Sequence, residues 1–229
     1  MQDNRITLRT GHARPSAEIL EQLSGAGSGD LCDAAGGLGA LPPNIRPVTV
    51  TSNFIGSALT VRLSPGDHLA LWAALEVAQP GDVLVVATAG HLGCAVMGDL
   101  MGGFAHNAGV GAVVTDGALR DAAGLSELGL ICFAAGLSPV RPRREGPGAV
   151  GVPVEIGGLA IEPGDLVAGD GDGVVVLPQA LLPAVVMALG EIRRREQETR
   201  AAIGSGARTT SAIRTLLRQR GLSPDPKAD

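Results

Sequence analysis

A strand, a helix and a second strand follow one another between residues 83 and 115, and this order restricts the fold more than any other feature. Residues 83–87 form a short apolar run rich in valine, which predicts a strand buried on both faces. Residues 99–108 carry apolar side chains on helical spacing and end at Gly109, a residue type typical of helix C-termini. Residues 112–115 are again valine-rich. The segment therefore predicts a β-α-β unit within an α/β protein.

Strand and helix signals of the same kind continue on both sides of this unit. The core must be built from Ala, Val, Leu and Ile, because aromatic residues make up only 2% of the chain and Tyr is absent. Such a composition suits α/β layers. The other predicted helices span residues 16–23, 31–35, 69–78, 179–203 and 210–220, and the other predicted strands span residues 55–63, 130–134, 150–154, 166–168 and 174–177. Asp170 and Asp172 resemble part of a calcium loop, but the Gly-rich turn around them favours a hairpin.

The length of the chain limits the number of domains. At 229 residues it can bury one sizeable core but not two comfortable ones. We therefore expect one domain over residues 1–203, followed by a C-terminal helix and tail over residues 204–229. Residues 223–229 are polar, contain proline and have nothing to bury, so we expect them to be disordered.

Charge, cysteine content and hydropathy exclude several partners. A net charge of −5 and a pI near 5.4 offer no attraction for polyphosphate, and no basic groove with aromatic residues exists, so nucleic acid is not an expected partner. Cys32, Cys94 and Cys132 are widely spaced, which indicates neither a disulfide framework nor a thiolate metal site. Residues 1–9 lack the apolar segment of a signal peptide, and no run of about eighteen apolar residues occurs. We expect a cytoplasmic protein with no membrane partner.

The residues with the most chemical content flank the β-α-β unit. Asp99 begins the predicted helix, and Arg120 and Asp121 follow the next strand. If the strands on either side are parallel, these three side chains meet at the same carboxyl edge of the sheet. Two carboxylates with few other ligands suit a hard cation that keeps several waters, which indicates Mg²⁺ or Mn²⁺ rather than Zn²⁺.

A small 2-oxo acid fits the same edge. The amides of Leu100 and Met101 lie in the first turn of the predicted helix, where backbone N–H groups lack partners and bind anions such as a carboxylate. The acid would chelate the cation, and Arg120 would help the cation to stabilise an enolate. A purely structural interpretation remains open, in which Asp99 only caps a helix and Asp121 only pairs with Arg120.

Lysine content separates two ways of polarising a substrate carbonyl. An enzyme that polarises a carbonyl through a Schiff base needs a buried lysine amine, and Lys227, near the C-terminus, is the only lysine in the sequence. A metal ion must then polarise the carbonyl instead.

Several motifs together resemble those of the RraA-like family. They are GSALTV at residues 56–61, PGD at 65–67, QPGDVLVV at 79–86, Asp99 followed after twenty residues by Arg120-Asp121, PGD at 163–165 and DGDGV at 170–174. The resemblance covers roughly residues 31–203 and extends to the 4-hydroxy-4-methyl-2-oxoglutarate/4-carboxy-4-hydroxy-2-oxoadipate aldolases of that family. It implies an α/β sandwich with a central mixed sheet like that of swivelling phosphohistidine-type domains.

The resemblance also implies roles for individual residues. Asp121 would ligate the metal, Asp99 would hold it through a water, and Arg120 would contact the substrate. The substrate-binding set would comprise Gly98, the amides of Leu100 and Met101, Arg120 and His68. Glu196 on the C-terminal helix would complete the site of a neighbouring subunit, with Glu198 as the next choice, because the family assembles as a trimer or a dimer of trimers with sites between subunits.

Two departures from the family pattern affect the expected substrate. His68 stands where many relatives carry Asn, and residues 204–208 replace a Gly-Glu-Leu-like segment of the aldolase tail. Our first hypothesis is a metal-dependent class II pyruvate aldolase that cleaves 4-hydroxy-2-oxo acids and also decarboxylates oxaloacetate. The alternatives are a non-catalytic regulator that binds ribonuclease E-type machinery, and a lyase or hydrolase that uses the same metal site on another small acid.

Overall fold

The structure is a computed structural model that describes residues 5–49 and 53–222. The chain divides into two compact units, Met1–Val186 and Met187–Asp229. Within the described residues the strands are β1 (Ile6–Leu8), β2 (Arg46–Pro47), β3 (Phe54–Leu63), β4 (Asp82–Ala87), β5 (Ala95–Met97), β6 (Ala112–Leu119), β7 (Ile131–Leu137), β8 (Gly148–Val150), β9 (Val154–Ile156), β10 (Leu159–Ile161), β11 (Leu166–Asp170) and β12 (Gly173–Leu177). The helices are α1 (Ala17–Leu23), α2 (Ser28–Ala34), α3 (Leu69–Leu75), α4 (Asp99–Asn107), α5 (Ala122–Glu127), α6 (Leu182–Gly204) and α7 (Ser211–Gln219), with a 3-10 turn at Gln179–Leu181.

One large mixed sheet organises the first unit. Its strand order is β1-β8-β3-β4-β6-β7-β2, while β11 pairs with both β3 and β12, and β5 pairs with β6. The strands β3, β4, β6 and β7 run parallel, and β8, β11 and β2 join them antiparallel. The mixed sheet predicted from the family resemblance is confirmed, and so is the hairpin of β11 and β12 around the Asp170 turn.

Successive side chains of β4 belong to different cores, as the two-residue period of a strand requires. Leu84 and Val86 pack into one buried apolar cluster, while Val83 and Val85 pack into the other. All four are fully buried, and each contributes on the order of 1.5–3 kcal/mol of transfer free energy. The sheet is therefore covered on both faces, as the valine-rich run of β4 predicts.

Different elements cover the two faces. Helices α3 and α4 lie on one face and contribute buried residues such as Leu71 and Met101. The opposite face is covered by the small β9-β10 hairpin and by β12, through Ile156, Ile161 and Val176. The result is an α/β sandwich. Helix α4, which packs on one face of the sheet, begins at Asp99, just after the end of strand β5.

Several element boundaries differ from the sequence prediction. The strand predicted over residues 150–154 is wrong as one element, because β8 ends at Val150 and β9 begins only at Val154. Gly151 between them has a φ of +68° and donates its N–H to the carbonyl of Thr60 at 2.8 Å, and Pro153 has no N–H to continue a ladder. The strand predicted over residues 112–115 runs on to Leu119, and the helix predicted over residues 69–78 ends at Leu75.

The second unit contains most of α6 and all of α7. The charged part of α6 forms ion pairs along its own surface, in which Arg194 contacts Glu191 at 3.0 Å and Glu198 at 2.6 Å. Helix α7 begins at a cap in which the Thr210 hydroxyl accepts the Ile213 amide at 3.2 Å. No helix within the described residues is both long and apolar enough to cross a membrane. The predicted domain boundary at residue 203 stays a prediction, and the predicted disorder of residues 223–229 lies outside the described residues.

Candidate functional site

Two parallel strands deliver the candidate residues to one edge of the sheet. Strand β5 pairs in parallel with β6, with Ala95 beside Ala118 and Met97 beside Leu119. Asp99 begins α4 two residues after β5, and Arg120 follows β6 directly, with its amide donating to the Met97 carbonyl at 3.1 Å. The two strands that were expected to be parallel, β4 and β6, are parallel, but Asp99 follows β5, a short strand that the sequence did not predict.

Asp121 has an unusual backbone conformation. Its φ of 54° and ψ of 43° place it in the left-handed region, which Asp tolerates better than most residues but which still costs on the order of 1–3 kcal/mol. It lies at the N-terminus of α5, yet its side chain makes no capping hydrogen bond. Its Oδ2 instead lies 3.2 Å from Nε of Arg120, in a pair whose side chains are 35% and 40% exposed. An exposed pair of this kind contributes about 1 kcal/mol or less, so it does not offset the backbone strain.

Two glycines accommodate the carboxylates. Gly98 has an ordinary extended backbone, but a Cβ there would overlap Oδ2 of Asp121 and lie 2.9 Å from Nε of Arg120. Gly124, in α5, faces the other carboxylate, and a Cβ there would lie 2.8 Å from Cβ and 3.0 Å from Oδ2 of Asp99. Asp121 therefore packs against Gly98, which directly precedes Asp99. Asp99 in turn packs against Gly124, which lies three residues after Asp121. This reciprocal packing places the Asp121–Arg120 pair beside the start of α4 and Asp99 beside α5.

The amides at the start of α4 differ from each other. The Leu100 amide donates to Oδ1 of Asp99 at 2.7 Å, so the expectation that it lacks a partner is wrong. The reason is local, because an Asp at the first helical position can fold its carboxylate back onto the next N–H. The Met101 amide has no hydrogen-bond partner among the residues that the structure describes. Asp99 must release Leu100 before that amide can bind a substrate.

A cavity of about 410 Å³ opens beside these residues. Its volume lies near the lower end of the range for small-molecule sites. Gly98 and Arg120, the chain neighbours of Asp99 and Asp121, line it, whereas the two aspartates do not. Further lining comes from α3, α4 and the segment that follows β7, including Trp72, Met101, Phe104, Arg141 and Arg144.

His68 lines the same cavity and is only 6% exposed. Its Nδ1 lies 2.9 Å from the carbonyl oxygen of Val96, while its Nε2 lies 3.4 Å from Nε1 of Trp72 and 3.1 Å from Nε of Arg144. Because the last two groups are donors, Nε2 must accept and Nδ1 must carry the proton. Burial lowers the pKa of His68, and the positive charge of Arg144 adds to this effect against the opposing Val96 carbonyl. The ring is therefore held neutral.

The donor set fits a hard divalent cation that retains water. No cluster of three or more His, Cys, Asp or Glu residues that could hold a metal ion occurs within residues 5–49 and 53–222. Asp121 would supply a carboxylate oxygen directly and Asp99 would hold the ion through a water, with the remaining positions left for water and substrate. That arrangement suits Mg²⁺ or Mn²⁺, whereas protein-held Zn²⁺ usually has three or four protein ligands.

Other residues considered from the sequence lie elsewhere or have other contacts. Glu196 belongs to the second unit, where its Oε2 lies 3.3 Å from Nη2 of Arg200. Asp170 accepts hydrogen bonds from the amide and hydroxyl of Ser28, both at 2.7 Å, which gives it a structural role in the hairpin. Its pKa is lowered because these and other hydrogen bonds outweigh the effect of burial.

Sequence patterns did not identify Trp72, Arg141 or Arg144 as site residues. Trp72 looks like one more apolar residue of α3, and the two arginines follow β7 in a loop without a recognisable motif. The PGD motif at residues 65–67 carries the only usable signal, because the Asp67 carboxylate accepts the Glu145 amide at 2.6 Å and so fixes this loop.

Comparisons with known proteins agree with this architecture. The family model described as "RraA-like: Aldolase/RraA" matches residues 28–176. A protein of Halalkalibacterium halodurans named "Putative 4-hydroxy-4-methyl-2-oxoglutarate aldolase" is 34% identical over 187 residues, which cover 82% of this chain and 88% of that protein.

Two solved structures extend the comparison to the fold. RraAS2 of Streptomyces coelicolor, described as an unusual member of the RNase ES inhibitor RraA protein family, has a TM-score of 0.74 and 30% identity, covering 82% of this chain and 99% of its own. The RNA-processing inhibitor RraA from Thermus has a TM-score of 0.63 and 31% identity, covering 67% and 93%. The chain therefore belongs to the RraA-like family, as the family model, the relatives and the solved structures together show.

Proposed function

We propose that the protein is a divalent-metal-dependent carbon–carbon lyase, a class II pyruvate aldolase that cleaves 4-hydroxy-2-oxo acids and also decarboxylates oxaloacetate. The observation that supports the proposal most is that the Asp121–Arg120 pair packs against Gly98 and Asp99 packs against Gly124, next to a cavity that Gly98 and Arg120 line. The aldolase name of a relative 34% identical to this chain supports the same chemistry.

In this proposal the residues divide the work of binding. Asp121 would hold the cation directly, and Asp99 would hold it through a water once its carboxylate has left the Leu100 amide. A bound Mg²⁺ or Mn²⁺ would supply Lewis-acid polarisation of the 2-oxo group. The Met101 amide, joined by the freed Leu100 amide, binds the substrate carboxylate at the helix N-terminus. Arg120 donates to the 2-oxo oxygen, where negative charge develops.

The bond changes are the same for both substrates. In aldol cleavage a base removes the proton of the 4-hydroxyl, the C3–C4 bond breaks, and its electron pair moves through C2 to the 2-oxo oxygen. The products are a carbonyl compound and the enolate of pyruvate, which is then protonated at C3. In oxaloacetate the C3–C4 bond breaks with loss of CO₂, and no hydroxyl proton has to be removed. We assign the base in aldol cleavage to Glu196 of a neighbouring subunit in a trimer or hexamer.

Turnover of oxaloacetate tests this function. Wild-type protein and an Asp121→Asn variant are assayed for pyruvate release with Mg²⁺ or Mn²⁺, with and without a chelator. Samples with metal but no protein measure the background reaction. We expect metal-dependent release above background in the wild type only. Equal pyruvate release in samples with and without protein contradicts the proposal. Equal release by the wild type and by Asp121→Asn contradicts it as well.

A second candidate function has independent support. Two structural neighbours are described as an RNase ES inhibitor family member and an RNA-processing inhibitor, so a non-catalytic regulator of a ribonuclease is the competing assignment. A regulator would inhibit ribonuclease E-type cleavage equally well with Asp121→Asn, since it needs no metal site. Inhibition by both proteins without turnover of any 2-oxo acid would favour the regulator, whereas turnover of another small acid would favour a different lyase or hydrolase.

A further inference from the structure

A short basic segment after β7 forms one wall of the cavity. Arg141 and Arg144 both line it, together with Arg120, and no Asp or Glu of the described residues does so. Arg120 already pairs with Asp121. Arg141 and Arg144 have no carboxylate partner within residues 5–49 and 53–222. The charge of Arg120 is balanced by Asp121, so Arg141 and Arg144 give the cavity positive charge that no carboxylate of the described residues balances.

The turn at residues 65–68 fixes this segment. Arg143 donates its amide to the Gly66 carbonyl at 2.8 Å, and the amide of His68 donates to the Arg143 carbonyl at 3.0 Å. The Asp67 carboxylate accepts the amides of Glu145 at 2.6 Å and Leu69 at 2.8 Å. Backbone hydrogen bonds on both sides of Arg144 thus restrict its main chain, although its side chain is solvent-accessible.

Two contacts then set the direction of the Arg144 side chain. Its Nε donates to Nε2 of His68, and its guanidinium carbon lies 5.3 Å from the centre of the Trp72 ring system. The first contact requires the neutral His68 tautomer with its proton on Nδ1, which the Val96 carbonyl holds in place. The Nη groups have no hydrogen-bond partner among the described residues. A guanidinium held at Nε presents its two Nη groups as a fork that matches a carboxylate.

We propose that Arg144 determines the preference of this site for 2-oxo acids that carry a second carboxylate, and that His68 is the positioning residue that aims it. The assignment rests on the proposed function for the position of the first carboxylate, which binds at the start of α4. The second carboxylate then contacts the Nη groups of Arg144, with Arg141 adding positive charge. In aldol cleavage of a 4-hydroxy-2-oxo acid, neither arginine takes part in breaking the carbon–carbon bond.

Binding of two matched acids tests the assignment without requiring turnover. Calorimetry with Mg²⁺ present compares 2-oxoglutarate with 2-oxopentanoate, which has the same chain length and a methyl group in place of the second carboxylate. We expect Arg144→Gln to weaken 2-oxoglutarate by about 10- to 100-fold, the usual effect of losing a charge-assisted hydrogen bond, and to leave 2-oxopentanoate nearly unchanged. Arg143→Gln is the matched control, because Arg143 lies in the same segment but does not line the cavity.

Two substitutions of His68 test its positioning role. Asn places its polar atoms near the position of Nδ1 and offers no acceptor at Nε2, whereas the longer Gln offers one near Nε2. We expect His68→Asn to reduce the preference for 2-oxoglutarate and His68→Gln to restore most of it. A residue that merely supported the fold would change the affinity for both acids alike.

The outcomes separate this assignment from the proposed function. Equal weakening of both acids by Arg144→Gln, no weakening of either, or the same loss in Arg143→Gln would overturn it. The same preparations are assayed for oxaloacetate turnover. A preference that depends on Arg144 without any turnover would overturn the lyase proposal but support the carboxylate assignment, and turnover without that preference would do the reverse.

Discussion

Replacing Gly98 by Ala perturbs the candidate site through a single methyl group. Gly98 has φ −129° and ψ −169°, which any residue adopts, so the backbone itself does not resist alanine. The added Cβ would overlap Oδ2 of Asp121 and lie 2.9 Å from both Cγ and Nε of Arg120. Oδ2 is the end of the Asp121 side chain, whereas Cγ and Nε lie along the Arg120 side chain, so both side chains must shift, by up to about 1 Å, to reach ordinary contact distance near 3.5 Å.

The displacement should reduce activity far more than stability. A misplacement of about 1 Å at a catalytic group typically lowers the rate by about 100-fold, and we expect a loss of that order in kcat/KM for metal-dependent oxaloacetate decarboxylation. The loss of stability should be about 1 kcal/mol, because Gly98 is the N-cap of α4 and alanine is a poor cap.

A second glycine of the same helix provides the control. A Cβ at Gly103 meets nothing within 4 Å, so Gly103→Ala should keep full activity and gain on the order of 0.5–1 kcal/mol of stability. Steady-state kinetics and denaturant unfolding of both variants make the comparison. Activity of Gly98→Ala within about threefold of wild type, well short of the loss expected from a 1 Å displacement, would refute the assignment of Asp121 and Arg120 to the reaction.

Three further changes test other parts of the site. Gly124→Ala should lower activity by displacing Asp99, whose Cβ would lie 2.8 Å from the new methyl, and a weaker affinity for Mn²⁺ in a titration would accompany the loss. Glu196→Gln should slow aldol cleavage by about 100-fold or more but barely affect oxaloacetate decarboxylation, since only aldol cleavage needs a base. Glu198→Gln is the control, and equal losses in both reactions would argue against the assignment of Glu196 as a base. The folded-state pKa of His68 lies below its ordinary value of 6.5, so its contribution to stability is present above pH 6.5 and is lost as the pH falls towards the folded-state pKa. His68→Gln should therefore flatten the decline in unfolding free energy as the pH falls below 6.5, and an unchanged slope would contradict the neutral assignment.

Local patterns were sufficient to predict the elements that carry Asp99 and Arg120. The apolar run of β4 and the helical spacing in α4 reflect burial on both sheet faces and on a helix stripe, and both are properties of neighbouring residues, whereas the three-residue strand β5 before Asp99 was not predicted. The position of Asp121 at this edge of the sheet could also be predicted, because the residue comes just after a parallel strand. Its left-handed backbone could not be predicted, since that conformation arises where the chain turns from β6 into α5.

Contacts between distant segments account for what the sequence did not predict. Arg144 reaches the cavity because a carboxylate 77 positions earlier in the chain holds the next residue, and no local pattern encodes such a contact. The Leu100 amide was expected to be free, but Asp99 accepts it, which depends on one side-chain rotamer. Val150 and Val154 look like parts of one strand in the sequence, but Gly151 between them has a positive φ and leaves no room for a Cβ beside the Arg9 carbonyl.

Exchange of the methyl protons of pyruvate with deuterated water tests the central claim most directly, because it requires only the enolate and no natural substrate. The methyl signal is followed by NMR with Mg²⁺ or Mn²⁺, in wild-type protein and in the Arg120→Leu and Asp121→Asn variants. We predict loss of the signal in the wild type, abolished by a chelator and by either substitution. Absence of exchange in the wild type with metal, or undiminished exchange in both variants, would contradict enolate chemistry at Arg120 and Asp121.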